Sequence, residues 1–296
     1  MQRITALASA LVALASSPPV HAATAPADLA AQLATLAARA KGTVGIAVTH
    51  IESGRSSTWN ADAALPTFSV MKLPVAVAIL TEVTAGRLAL DKPVHVTRAD
   101  VVGGAPGSEQ RWADVPKDMT IKQLLDLSLV FSDNTSSDKL MALLDGPAGV
   151  SRRLQALHID GLQVRGTYHD DAPKHLNLGS AAAITRLLTR LWQGQLLTRP
   201  QLDLVVEMMT RSPNGARRLR GQLPPGTVVA DKTGTGGDGR ATNDVGFITL
   251  PPGQGHLAIA VLINGSPLPQ AQQEDLIAAV ARAAYDAHLA AKPPAR

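Results

Sequence analysis

A chain of 296 residues has room for one large core or two smaller ones, and without a cysteine it excludes disulfides, thiol catalysis and lipid attachment at cysteine. Hydrophobic residues make up 45% and charged residues 18%, a globular balance, but aromatics are only 3%, so the core must be built from Leu, Val, Ile and Ala. The net charge of +4 is scattered, with Arg217, Arg218 and Arg220 as one cluster and no interleaving of basic and aromatic residues, which argues against a nucleic-acid surface.

Residues 1–22 read as an export signal. Arg3 lies in a short basic start, Ile4 to Ala15 form an apolar run, and Val20-His21-Ala22 fits a small-residue cleavage site. That run is too short to cross a bilayer and no other stretch is long enough, so a periplasmic or secreted protein with no membrane span after signal removal is expected. Pro26 to Lys41 has helical periodicity, with Leu29, Leu33 and Leu36 on one face. Thr43 to Ile51 alternates like a strand and Ser53-Gly54 gives a hairpin turn. A helix is expected to start at Ser69, with Pro74 tolerated near its first turn. Further helices are expected over Thr120–Ser128, Asn134–Leu144, Gly149–Leu157, Ser180–Trp192 and Arg199–Met209. Strands follow over Thr227–Lys232, Thr242–Leu250 and His256–Ile263, and Gln270–Ala291 is a long closing helix.

Helix and strand at both ends with helices between them imply a split architecture, α/β plus all-α. Residues 23–64 and 206–296 would form an antiparallel sheet flanked by terminal helices, and residues 65–205 an inserted all-helical domain. The functional groups would meet in the cleft between them.

Three short motifs fall in order: Ser69-Val70-Met71-Lys72, Ser132-Asp133-Asn134 and Lys232-Thr233-Gly234. Together they supply a nucleophile, a buried amine, a second hydroxyl, a second amine and a strand edge that can bind a carbonyl, the working set of a serine acyl-transfer enzyme. A serine ahead of an apolar helix is commonly a plain N-cap. Lys72 changes that weighting, because at i+3 it shares the face of Ser69, and flanked by Phe68, Leu73 and Val75 it should be desolvated and its pKa lowered towards that of a useful base. Asp133 reads as a structural cap, and Gly234 as a place where backbone approaches a ligand. The histidines show no metal-binding spacing, so no metal and no cofactor are expected.

With these motifs, the segments FSVMKLPVAVAIL, LSLVFSDNTSSDKL and LRGQLPPGTVVADKTGTGG followed by ATNDVGFITLPPGQGHLAIAVLINGS make the chain resemble the class A serine β-lactamases, relatives of the penicillin-binding proteins. The resemblance covers most of residues 30–290. It implies that Ser69 is acylated, that Ser132 relays a proton to the leaving nitrogen, that Asn134 reaches Lys72 and the substrate, and that Lys232 orients Ser132. It also implies that Thr233 and Thr235 hydroxyls bind the substrate carboxylate, that Ser69 and Thr235 N–H groups form the oxyanion hole, and that Arg218 stands where some members carry a carboxylate-binding arginine. The other reading of Arg218 is a solvated helix-end residue beside Arg217 and Arg220.

The family keeps a loop glutamate that activates the deacylating water. Between Glu109 and Glu207 this chain has no glutamate at all, and counting back from Asn177 and Ser180 puts Arg165 in its place. His169, Asp170 and Asp171 are the substitutes within reach, though Asp170-Asp171 also read as loop solvation with a salt bridge to Arg165. The expected function is a serine β-lactamase acting on small-molecule β-lactams as a monomer. The alternatives are a D-Ala-D-Ala peptidase-like enzyme and a non-turnover β-lactam-binding protein.

Overall fold

The computed structural model describes residues 27–170 and 176–290. The expected export segment, residues 1–22, and Asp171 lie outside the described residues. The chain order is α1 (Ala27–Arg39), β1 (Thr43–His50), β2 (Ser56–Trp59), β3 (Leu65–Pro66), a 3-10 turn (Phe68–Met71), α2 (Lys72–Thr84), β4 (Pro93–Val96), a second 3-10 turn (Arg98–Asp100), α3 (Ser108–Arg111), β5 (Lys117–Thr120) and α4 (Ile121–Val130). Then follow α5 (Asn134–Ala142), α6 (Gly146–Ala156), β6 (Leu162–Gln163), β7 (Leu178–Gly179), α7 (Ala181–Trp192), α8 (Arg199–Arg211), β8 (Val229–Thr235), β9 (Thr242–Thr249), β10 (His256–Asn264) and α9 (Gln270–Ala290).

Five strands form one antiparallel sheet in the order β2-β1-β10-β9-β8, so chain from both ends interlocks in its centre. Alternation along each strand sends side chains to two cores. Val44, Ile46, Val48, Leu257, Ile259, Val261 and Ile263 face the terminal helices, where Leu29 and Leu33 of α1 and Ile277, Val280 and Ala281 of α9 cover them. The opposite face carries Ala47, Ala230, Val245, Phe247, Ala258, Ala260 and Leu262, packed in one continuous core with the central helices. Burial on both faces makes β10 a nearly unbroken apolar run, whereas β8 and β9 carry buried polar residues near the cleft.

The middle of the core is α2. From Lys72 to Leu80 every residue of α2 is buried, as a helix apolar on all sides must be. It therefore holds Lys72 rigidly. The helix starts later than expected. Residues 68–71 form a tight 3-10 turn whose Ser69 carbonyl accepts the Lys72 N–H, and the α-helix begins only at Lys72. Phe68 enters this turn with φ of 49°, a left-handed conformation from which an α-helix cannot be continued. β8 also runs three residues further than expected, to Thr235, because it stays paired with β9 through the Thr235–Thr242 register. The small pairs β4–β5 and β3-β7-β6 carried no readable signal at two to four residues each.

Ile277 is fully buried between α9 and the sheet. Ile277→Ala is expected to lower the unfolding free energy by about 2–5 kcal/mol, read as a lower urea midpoint at unchanged slope.

Candidate active site

The strained turn is held from three sides. Thr67 N–H and its hydroxyl both donate to Asn177 O, at 2.9 and 3.0 Å. The Asn243 amide of β9 donates to Pro66 O at 2.9 Å and to Thr67 O at 3.3 Å. The Tyr168 hydroxyl donates to Phe68 O at 3.2 Å. Backbone strain of this kind costs about 1–3 kcal/mol and persists only where the surroundings over-determine it, as these bonds do. The result is that Ser69 sits half-buried at the cleft wall with its hydroxyl over α2.

Lys72 meets Ser69 as the i+3 spacing requires. Its Nζ lies 3.0 Å from Ser69 Oγ, 2.6 Å from Ser132 O, 3.3 Å from Ser132 Oγ and 2.7 Å from Asn134 Oδ1. All four acceptors are neutral. Burial, with the nearby Lys232 charge, holds its pKa well below the ordinary lysine range, against the opposing pull of Asp133 and Asp138. The amine is therefore poised towards its neutral, proton-accepting form.

Ser132 has φ of 57°, which lets both its carbonyl and its hydroxyl face Lys72. Asp133 follows it as the N-cap of α5, accepting Ser136 N at 2.8 Å. Its other oxygen accepts Trp112 Nε1 at 3.0 Å, and Arg111 Nε lies 3.3 Å away. The side chain is fully buried, so Asp133 is the structural cap the sequence suggested.

From the opposite wall, β8 brings Lys232, whose Nζ is 3.0 Å from Ser132 Oγ and 3.0 Å from Thr233 O. Burial pulls the Lys232 pKa down to about 7, although Asp244 and Asp231 beneath it favour the charged form. The two amines thus share one hydroxyl, that of Ser132. Gly236 N–H bonds back to Ala241 O, so by the alternation of an antiparallel ladder Thr235 N–H is directed to the free strand edge, on the Ser69 side. Gly234 works differently from the expectation. A Cβ there would lie 2.5 Å from Thr67 O and 3.2 Å from Val70 N. What glycine admits at this point is also the chain's own turn carrying Ser69, while Gly234 itself lines the cleft beside Thr233 and Thr235.

Arg218 is 4% exposed, not solvated. It donates to Gly234 O at 3.1 Å, Asn243 O at 2.8 Å and Thr235 Oγ1 at 2.8 Å, and pairs with Glu274 at 3.3 Å. Arg217 beside it is exposed and pairs with Asp275, and Arg220 pairs with buried Asp231. Ser69, Ser132, Asn134, Arg218, Thr233, Gly234 and Thr235 all line one cleft of about 430 Å³.

The loop after β6 departs from the sequence reading. Arg165 does not face Ser69. Its backbone N–H bonds Asn177 Oδ1 at 2.7 Å at the loop neck, and its side chain reaches Gln163. Tyr168 is the residue that reaches the amine, its ring centroid 4.1 Å from Lys72 Nζ, and it lines the cleft. The loop is pinned by Asp138, which accepts Tyr168 N at 2.8 Å and His169 N at 2.9 Å. His169 is exposed, and Asp170 accepts Thr167 N and Oγ1 at 3.0 and 2.9 Å. Neither lines the cleft. Tyr168, Asp138, Asn177 and Asn243 were missed by sequence reasoning. For Asp138 a signal existed, since i+4 from Asn134 puts it on the same helix face.

The family model described as the β-lactamase enzyme family matches residues 28–288. The β-lactamase VEB-1 of Pseudomonas aeruginosa is 30% identical over 262 residues, covering 83% of this chain and 85% of that protein. The extended-spectrum β-lactamase PER-1 of Pseudomonas aeruginosa is 33% identical over 273 residues, covering 87% and 86%. Among solved structures, a β-lactamase from Chitinophaga pinensis DSM 2588 matches with a TM-score of 0.83 at 32% identity, covering 88% of this chain and 99% of that one.

Any side chain at position 234 must push β8 off the Ser69 turn. Gly234→Val is expected to cost about 1–3 kcal/mol of stability, the usual range for overpacking, and to part Lys232 from Ser132. Urea unfolding measures the first, and a crystal structure of the variant checks the second.

Proposed function

The chain belongs to the β-lactamase enzyme family and is a serine β-lactamase of the class A type, and from that premise we propose how its residues carry the reaction. Ser69 is the nucleophile and Lys72 its base. The observation that carries this assignment is the buried Lys72 amine, 3.0 Å from Ser69 Oγ and bonded to neutral acceptors.

Ser69 Oγ attacks the lactam carbonyl carbon while its proton passes to Lys72 Nζ. The oxyanion that forms is received by the Ser69 and Thr235 N–H groups. Collapse breaks the C–N bond, and the nitrogen takes the Ser132 hydroxyl proton. Ser132 is resupplied by Lys72 across the 3.3 Å contact, so the amine ends neutral. Lys232, at 3.0 Å from the same hydroxyl, stabilises Ser132 during the transfer. Asn134 holds Lys72 through Oδ1.

Substrate orientation falls to the opposite wall. Thr233 and Thr235 hydroxyls with Arg218, itself paired with Glu274, and Lys232 beneath them form a hydrogen-bonding end of the cleft suited to the carboxylate of a β-lactam. All these groups lie on one chain, so a monomer suffices, and no cofactor is required by the steps above. The peptidase-like and non-turnover readings are less well supported, because the relatives reported above are themselves named β-lactamases. Among the described residues no helix is long and apolar enough to cross a membrane. The basic, apolar and small-residue pattern of residues 1–22 supports export to the periplasm or medium.

Ser69→Ala is expected to abolish both hydrolysis and the covalent adduct seen by intact-protein mass spectrometry. Lys72→Ala is expected to slow single-turnover acylation by about 10²-fold or more, the usual contribution of a general base. A rate within threefold of the parent would remove Lys72 from that role.

Arg218→Ala is expected to raise KM for carboxylate-bearing substrates by about tenfold or more and to change it little for their esters, since a charge-assisted bond needs the anion. Steady-state kinetics on matched acid and ester pairs measure the difference.

A further inference from the structure

The acyl-enzyme is an ester, and the second half-reaction needs a base that can reach water beside it. We propose that Lys72 also performs this second proton transfer and that Tyr168 is the positioning residue that stabilises its charged form between transfers. The proposal rests on the assignment of Ser69 and Lys72 above.

Three observations carry it. First, among its described residues the loop presents an aromatic ring, rather than His169 or Asp170, to the cleft beside Lys72. His169 is exposed and Asp170 is engaged by Thr167. Second, Asp138 is the one acid within α5, and its two oxygens accept the backbone N–H groups of Tyr168 and His169. Burial also raises its pKa to about 6. Asp138, half-buried, therefore works as the anchor that fixes the ring, each of its oxygens held by one loop N–H. Third, the four hydrogen bonds of Lys72 end on neutral oxygens, so no carboxylate ties up its proton among the described residues.

The surroundings then favour a lysine that cycles. The charged and titratable groups facing it are Lys232 from β8, Asp133 and Asp138 from the start and face of α5, and Tyr168 from the loop. Burial favours the neutral amine before each transfer. The π face of Tyr168 stabilises the ammonium while it exists. Tyr168 itself is no base, because burial drives its phenol pKa well above the ordinary value. In the step proposed, water gives a proton to Lys72 Nζ and its oxygen bonds to the acyl carbon. The C–Oγ bond then breaks, and the Lys72 proton returns to Ser69 Oγ. One water is consumed and the enzyme is restored.

A single base for both half-reactions makes a specific kinetic signature. Acylation and deacylation rates, measured separately by rapid quench and mass spectrometry with a chromogenic cephalosporin, should share one acid limb in their pH profiles. Tyr168→Leu keeps the site buried but removes the π face. It is expected to move both limbs together to lower pH, by about half a unit or more, the size of a partly buried cation–π contact. Tyr168→Phe keeps the ring and is expected to leave both limbs in place. A deacylation limb lying in the carboxylate range, apart from the acylation limb, would overturn the proposal and assign the second step to an acid. So would limbs that respond independently to Tyr168→Leu. The parent profiles alone decide the first point if a variant fails to fold. Failure of the nucleophile assignment is separate, since it would show as adduct formation on Ser69→Ala.

Discussion

The architecture around the cleft is organised by one buried amine. Lys72 sits on a helix with no solvent-facing side over its first nine residues, and desolvating an ammonium there costs several kcal/mol, roughly, unless its proton is shared or lost. The protein accommodates it with oxygens alone. Ser69 from one turn and Ser132 and Asn134 from another converge on it, and Tyr168 covers it with an aromatic face. A carboxylate bonded directly to it would add to the pull of Asp133 and Asp138 and hold the amine in its protonated form. The polar wall of the cleft is thus determined by what Lys72 must be bonded to.

Holding those segments in register requires strain, and the strain is distributed. Phe68 and Ser132 both adopt left-handed backbone conformations without being glycine. Each is locked by its neighbours. Asn243 and Asn177 clamp the first turn, and the Asp133 cap with Trp112 clamps the second. Gly234 then lets β8 approach the first turn closely enough for Lys232 to reach Ser132. The clamps come from the sheet, the helical core and the loop neck, so the site is rigid only when all three are packed.

The sheet supplies that rigidity because it is buried on both faces. The terminal helices cover one side and the helical block the other, through small residues such as Ala47, Ala258 and Ala260 that allow close packing. β8 is an edge strand of this sheet, which leaves its outer backbone groups without a ladder partner while its inner ones stay paired with β9. Beneath it, Asp231 and Asp244 are fully buried, and burial raises the pKa of both, so they temper rather than fix the charge of Lys232.

The sequence by itself determined the sheet and most of the helices, and it singled out the groups proposed for acylation. Alternation and apolar runs are local signals, and Ser69, Lys72, Ser132, Asn134 and Lys232 lie in short motifs whose spacing already implies a shared face. It also showed correctly that the loop lacks glutamate, because that is a count. It could not decide what stands in that place. Arg165 was the expectation from counting along the chain, but the neck formed by Asn177 and the grip of Asp138 on two loop N–H groups turn Tyr168 inward instead. Such bonds join residues 12 and 30 positions apart in sequence, and no local pattern encodes them. The same holds for Gly234, whose permissiveness was legible while the object it admits was not. Only tertiary packing brings the Thr67 carbonyl to its Cα, since close approach depends on where a distant turn comes to rest.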